Sequence, residues 1–142
     1  MKDRFMSVVC ADVLLTRNND KEFLLMKRIN TGSNDGMYEL PGGHLEKDED
    51  IFGAMIREIK EELLLDIKET DLELIHFMHH YNVNRLNFIF KCDGSNLNPQ
   101  IGEPNKCEDL VWVDFDSIPD NTTDKVKIIL DNIRNSKFYD KL

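Results

Sequence analysis

Glu58, Glu61 and Glu62 fall in the run Arg57-Glu58-Ile59-Lys60-Glu61-Glu62. At about 100° per residue, helical spacing of i, i+3 and i+4 sets these carboxylates on one arc. Like charges so placed repel one another by roughly a few tenths of a kcal/mol per pair on a solvated helix, and by more where burial removes water. A face that only needed solubility would intersperse lysines, and Lys60 points elsewhere. A hard divalent cation, Mg²⁺ or Mn²⁺, neutralises such a cluster, because oxygen ligands suit hard ions. Arg57 pairs with Glu61 at i, i+4 and can clamp a carboxylate in place; Glu49 lies two turns before it. The bland alternative is a solvated acidic helix, and three glutamates alone do not exclude it.

These residues need a helix and something to hold it. The stretch Gly42 to Leu65 (GGHLEKDEDIFGAMIREIKEELLL) opens on a glycine pair and closes on the acidic turns. Phe52, Met55, Ile56, Ile59 and Leu63 share one stripe of that helix and should face a core. Asp48 or its neighbours form the cap region.

The flanking segments read as the scaffold. Met6 to Leu15 is apolar and β-branched, a buried strand, and Glu22 to Arg28 is a second strand joined to it as a hairpin through the turn Asn18-Asn19-Asp20. Asn30 to Gly36 is a loop of mobile composition beside the expected pocket. Leu72 to Tyr81 and Arg85 to Lys91 form another hairpin around Asn82-Val83-Asn84, with Leu86, Phe88 and Phe90 alternating toward a buried face. Asp93 to Lys106 is a long polar loop, and Leu110 to Phe115 a further strand. Thr123 caps a closing helix whose Val126, Ile129, Leu130 and Ile133 fall at i, i+3, i+4 and i+7. Strands with two such helices on a mixed sheet give an α/β sandwich, a single domain over residues 1–142.

The wider spacing goes beyond an acidic helix. Gly43, five residues, Glu49, seven residues, then Arg57-Glu58-Ile59-Lys60-Glu61-Glu62 resembles the signature of the Nudix hydrolases. Tyr38-Glu39-Leu40-Pro41-Gly42-Gly43 is similar to the usual approach to that signature, with tyrosine where tryptophan is common. One position departs: Leu64 stands where the family has glycine. Leucine avoids positive φ, so the helix is expected to run on or to end differently, with the carboxylates untouched.

The resemblance implies an α/β/α sandwich with a mixed sheet, and Mg²⁺- or Mn²⁺-dependent hydrolysis of a nucleoside diphosphate linked to another moiety. It implies Glu58, Glu61, Glu62 and the Gly42 carbonyl as metal ligands. Glu49 and Arg57 would orient them, and Glu61 or a residue of the 103–108 loop would take the proton from water. Glu103-Pro104-Asn105-Lys106-Cys107 followed by Leu110-Val111-Trp112 resembles a downstream segment of MutT-like nucleotide diphosphatases, which favours a nucleoside triphosphate cut to monophosphate and diphosphate. ADP-ribose or another nucleotide sugar is the alternative substrate, and a nucleotide-sensing module that cuts nothing is the alternative class. Such a module would be expected to lose helix carboxylates, and all three are present.

Three further residues are candidates for substrate binding. Arg28 could meet a phosphate, His79 with its neighbour His80 sits near a hairpin turn, and Trp112 could stack on a base. Each also has an ordinary reading: a surface arginine, a turn histidine and a packed core tryptophan. Phe77, Phe88 and Phe90 read as core before pocket wall.

Composition closes off other classes. With 142 residues and 41% hydrophobic content the chain can bury a proper core. A net charge of −9 opposes any broad phosphate-tracking surface, so long nucleic acid and RNA caps are disfavoured while a small phosphorylated ligand is not. Cys10, Cys92 and Cys107 lack paired spacing and read as reduced thiols of a cytoplasmic protein. The basic start Met1-Lys2-Asp3-Arg4 is followed by an apolar run that Asp12 interrupts, unlike a leader, and no run is long enough for a membrane. A homodimer is compatible with such a domain, and no residue marks its interface.

Overall fold

The computed structural model describes residues 2–142; Met1 of the basic start lies outside them. Strand β1 (Val8–Arg17) is the axis of the molecule. Its odd positions Ala11, Val13 and Leu15 face one layer, and Leu14 faces the other. This period of two lets one strand serve two cores.

Pairing departs from the simple hairpin expected. Strand β2 (Glu22–Arg28) meets β1 only at Thr16↔Phe23 and Arg17↔Glu22. Beyond those pairs the strands diverge. Along its length β1 runs parallel to β6 (Arg85–Asp93), from Val8↔Arg85 to Thr16↔Asp93. On its other side lies a three-residue strand, β4 (Gly42–His44), with Cys10↔His44, Ala11↔Gly43 and Asp12↔Gly42. Strand β2 instead pairs with β7 (Cys107–Asp114) and with the two-residue β3 (Tyr38–Glu39). The expected second hairpin is present: β5 (Glu73–His80) is antiparallel to β6, joined by a short 3-10 turn at Tyr81–Val83. A last strand, β8 (Tyr139–Lys141), adds in parallel to the edge of β5. The sheet is therefore mixed, as expected.

Each face carries one helix. Helix α1 (Ile51–Leu63) begins at Asp50, whose carboxylate accepts the Gly53 N–H at 2.7 Å, two residues beyond Asp48. Met55, Ile59 and Leu63 of the stripe are fully buried with Ala54 against Ala11, Val13 and Leu15, while Phe52 and Ile56 pack at the margin. Helix α2 (Asp124–Arg134) lays Val126, Ile129 and Leu130 over Leu14, Phe23, Leu25, Met78 and Ile89. The layers are helix, sheet, helix: an α/β/α sandwich. Phe90 is core, Phe88 packs at its edge, and Phe77 lies between Phe88 and Tyr139.

Leu64 corrects the expectation for the helix exit. It takes φ 56 and ψ 38, the left-handed conformation that glycine adopts without strain, and its N–H reaches the Lys60 carbonyl at 3.1 Å. The side chain stays 56% exposed, so no packing opposes the turn. The neighbouring carbonyls are covered from the long loop: Gly102 N–H donates to Glu62 O at 2.9 Å and Gln100 N–H to Leu63 O at 3.0 Å. Helix-end carbonyls need such partners. The same contacts carry the loop up beside the acidic turns.

Thr123 is the N-cap of α2 by position, but its hydroxyl makes no capping bond. Among the described residues no helix is long and apolar enough to cross a membrane.

Candidate active site

The glycine pair explains how α1 meets the sheet. A β-carbon on Gly42 would collide with the Ala11 carbonyl and the Asp12 carboxylate, and one on Gly43 would collide with the Glu58 carboxylate. Only a bare backbone fits between β1 and the acidic face of the helix. Gly42 N–H donates to Glu62 Oε2 at 2.9 Å, which fixes that carboxylate against the strand.

Arg57 holds the rest in place. Its Nε and Nη2 donate to the two oxygens of Glu49 at 3.1 and 2.8 Å, a two-pronged pair, and Nη2 also reaches the His44 carbonyl at 3.0 Å. Its Nη1 contacts Glu58 at 2.8 Å and Glu61 at 3.5 Å. Glu49 in turn accepts the Glu46 N–H at 2.8 Å. One guanidinium therefore pins the β4–α1 loop to the helix and sits among the carboxylates. The Arg57 bond holds the Glu49 carboxyl below its ordinary pKa.

The acids deeper in the site behave oppositely. Burial pushes Glu58 up despite Arg57, and burial with the Glu58 charge pushes Glu62 well up. Asp12, on β1 beside Gly42, lines a neighbouring cavity and is pushed up to about 6 by burial. Three carboxyls near one glycine pair thus have pKa values above the ordinary carboxylate range, and a nearby positive charge would favour their ionised forms.

A cavity of about 570 Å³ opens over this arrangement. Gly42, Glu58, Glu61 and Glu62 line one side; Arg28, Glu103 and Lys106 line another. Arg28, which the sequence marks for phosphate, donates to Glu39 at 3.2 Å and to the Ser33 carbonyl at 2.9 Å, so its position is fixed. The loop before β3 is tied internally, with Asp35 accepting the Thr31 and Gly32 N–H groups.

Two of the sequence candidates stand elsewhere. Trp112 packs beside the α1 core on β7 under the Arg17 guanidinium, 4.3 Å from its ring centroid. His79 lies near the C-terminal end of β5 against Tyr81. Neither lines the cavity over the glutamates or the one behind it. Sequence reasoning missed Asp12 and Glu39, while His80, weighed together with His79, lines the second cavity. For Asp12 the signal was visible: it is the one acid inside the apolar run of β1.

The pattern of a NUDIX domain matches residues 6–132. The chain belongs to the Nudix family. It is 26% identical to the MutT NUDIX hydrolase of Burkholderia pseudomallei, with a TM-score of 0.77 over 89% of this chain and 98% of that one. A NUDIX hydrolase from Nitrosomonas europaea aligns at 15% identity with a TM-score of 0.78, over 99% of this chain and 82% of that one. The MutT protein of Methanosarcina mazei Go1 aligns at 18% identity with a TM-score of 0.73, over 90% and 93% of the two chains. At those last identities the likeness is one of fold. No curated protein matches the chain. Its chemistry is Nudix-type hydrolysis of a nucleotide diphosphate moiety.

Nudix proteins use Mg²⁺ or Mn²⁺, and the donor set here fits such an ion. Beside Arg57, the three other α1 side chains lining the cavity, Glu58, Glu61 and Glu62, offer carboxylate oxygen, and two of the three are held where burial disfavours their charge. Among the described residues no three His, Cys, Asp or Glu side chains form a ready-made cage. Mg²⁺ does not require one, since it keeps waters and shares its coordination between one or two carboxylates and substrate phosphates.

Proposed function

We propose that this Nudix protein is a divalent-cation-dependent pyrophosphohydrolase that cuts a nucleoside triphosphate, ordinary or modified, into a monophosphate and diphosphate. The observation that carries the proposal is the cavity in which Glu58 and Glu62, both resisting ionisation, face the bare Gly42–Gly43 backbone with Arg28 and Lys106 on another wall. Glu58, Glu61, Glu62 and the Gly42 carbonyl would hold Mg²⁺ or Mn²⁺, which neutralises the diphosphate, polarises the attacked phosphorus and acidifies water.

The chain's own groups do the positioning. Arg57 and Glu49 keep the helix and the β4–α1 loop in one geometry, which holds Glu58 at a fixed distance from the glycine backbone. Arg28 and Lys106 offer cationic contacts to phosphate oxygens on another wall. The proton of the attacking water passes to a carboxylate oxygen of Glu61 or Glu103, both of which line the cavity. Presence of all the helix carboxylates favours this reading over a sensing module.

The experiment is a product assay over a panel of nucleoside triphosphates, their oxidised forms and ADP-ribose, with and without Mg²⁺. Diphosphate released from a triphosphate supports the proposal. Cleavage of ADP-ribose alone moves the assignment to nucleotide sugars, and binding without turnover makes the protein a sensor.

A further inference from the structure

Residues 94–106 join β6 to β7 and carry Glu103 and Lys106 to the wall of the cavity over the glutamates. Loops of this length are ordinarily mobile, yet this one is seated at two places. On the last turn of α1, Gly102 N–H donates to Glu62 O at 2.9 Å and Gln100 N–H to Leu63 O at 3.0 Å. On the exit of β2, Ile29 N–H donates to Lys106 O at 2.9 Å and Asn30 Nδ2 to Asn105 O at 3.3 Å. Glu103 lies between these two attachments. It also opens a tight turn, its carbonyl accepting the Lys106 N–H at 2.9 Å and the Cys107 N–H at 3.0 Å. Pro104 stands at the second position of that turn, where a ring-fixed φ is favoured. The backbone that bears the Glu103 side chain is therefore held on both sides.

Gly102 sets how close that backbone comes to the helix. A β-carbon there would collide with the Glu61 carbonyl oxygen. That oxygen is part of the α1 backbone and cannot swing aside as the end of a side chain can. Gly102 is not among the glycines with positive φ, so its conformation does not demand glycine; the close approach does. With any larger residue the loop must lift by about 1 Å or more, the scale on which a displaced catalytic group loses much of its effect. The seat and the acids belong to one turn of helix. Glu61 and Glu62 meet Gly102 through their carbonyls and line the same cavity as Glu103 through their carboxylates.

We propose that Gly102 is a positioning residue of the hydrolase. Its bare α-carbon seats the β6–β7 loop on the Glu61 and Glu62 carbonyls, and with the Pro104 turn sets Glu103 against the carboxylates of that helical turn. The proposal rests on the reading that Glu103, of the two acceptors named above, takes the proton of the attacking water.

A double-mutant cycle in Mg²⁺ tests it, with ATP, GTP, CTP, UTP and ADP-ribose as substrates. The enzymes are the wild type, Gly102→Ala, Glu103→Gln and the double variant. Glu103→Gln slows kcat on the order of 10²-fold and Gly102→Ala by about tenfold or more. Once the Glu103 carboxylate is gone the glycine has nothing further to position, so the double variant stays within about twofold of Glu103→Gln. A merely structural loss multiplies in both backgrounds. Amide exchange in EDTA reads the seat without hydrolysis: the Gln100 amide is protected in the wild type and in Glu103→Gln, and exchanges about tenfold faster in Gly102→Ala. Pro104→Ala loosens the turn without any collision and is the safeguard against misfolding. It slows kcat severalfold, and not at all in the Glu103→Gln background.

Glu103→Gln at the wild-type rate removes Glu103 as proton acceptor, and this proposal with it. If Glu103→Gln is slow, the proposal alone is overturned by Gly102→Ala and Pro104→Ala at the wild-type rate, by losses that multiply in the double variants, or by unchanged Gln100 protection. A wild type that cuts none of the five substrates overturns the proposed function and this proposal together.

Discussion

The Glu62 carboxylate accepts the Gly42 N–H at 2.9 Å and so ties the last turn of α1 to β4. That bond needs only an oxygen acceptor, whereas the proposed chemistry needs the charge. Glu62→Gln keeps an acceptor of the same shape and should leave the fold intact, while hydrolysis falls on the order of 10²-fold or more. Steady-state kinetics beside a thermal melt check this. Near-normal turnover in the variant would remove Glu62 from the site.

The two glycines should fail differently. At Gly43 the added methyl would meet the end of the Glu58 side chain, which can swing aside; at Gly42 it would meet the Ala11 carbonyl and the Asp12 backbone, which cannot. Gly43→Ala should therefore melt near the wild type and lose activity through a displaced Glu58. Gly42→Ala should lose stability, by about 1–3 kcal/mol for overpacking. Urea denaturation of both variants, with activity measured at one concentration, separates the outcomes.

Leu64 holds a left-handed conformation with its side chain largely in water. The strain for a residue with a β-carbon is about 1–2 kcal/mol, offset in part by the greater freedom of glycine in the unfolded chain. Leu64→Gly should stabilise the protein by about 0.5–1 kcal/mol with an unchanged denaturant slope and unchanged turnover. A loss of stability would show that the leucine contributes more than its exposure suggests.

Asp12 gives a pH dependence. Its folded pKa is raised to about 6 from 3.8, so the native state binds its proton more tightly than the unfolded chain does. Stability from this group is full below pH 4 and is lost as pH rises through about 6. Asp12→Asn removes the buried charge. At pH 8 it should be more stable than the wild type by about 3 kcal/mol, and the advantage should vanish at pH 4. Equal melting curves at both pH values would contradict the burial argument.

Local patterns carried much of this structure in the sequence. The stripe Met55, Ile59 and Leu63 marked the buried face of α1, and the spacing from Gly43 to Glu62 marked the acidic site. What stayed hidden was nonlocal. The partner of β1 along its length is β6, more than seventy residues away, while the Gly42–Gly43 backbone pairs on the other side of β1 and β2 pairs with β7. Strands of two or three residues, such as β3, β4 and β8, are too short to show a period. Thr123 looked like a helix cap, and only the folded chain shows that its hydroxyl makes no capping bond. Trp112 looked available for stacking until Arg17 was found lying over it.

The central claim is that the α1 carboxylates hold a hard cation against a nucleotide diphosphate. Titration of Mn²⁺ followed by electron paramagnetic resonance, with and without a nonhydrolysable nucleoside triphosphate analogue, measures it directly. The wild type should take up Mn²⁺, more tightly with the analogue present, and Glu58→Gln and Glu62→Gln should each weaken uptake by about tenfold or more. Uptake that is absent from the wild type with the analogue bound, or that is equal in all three proteins, would contradict the account.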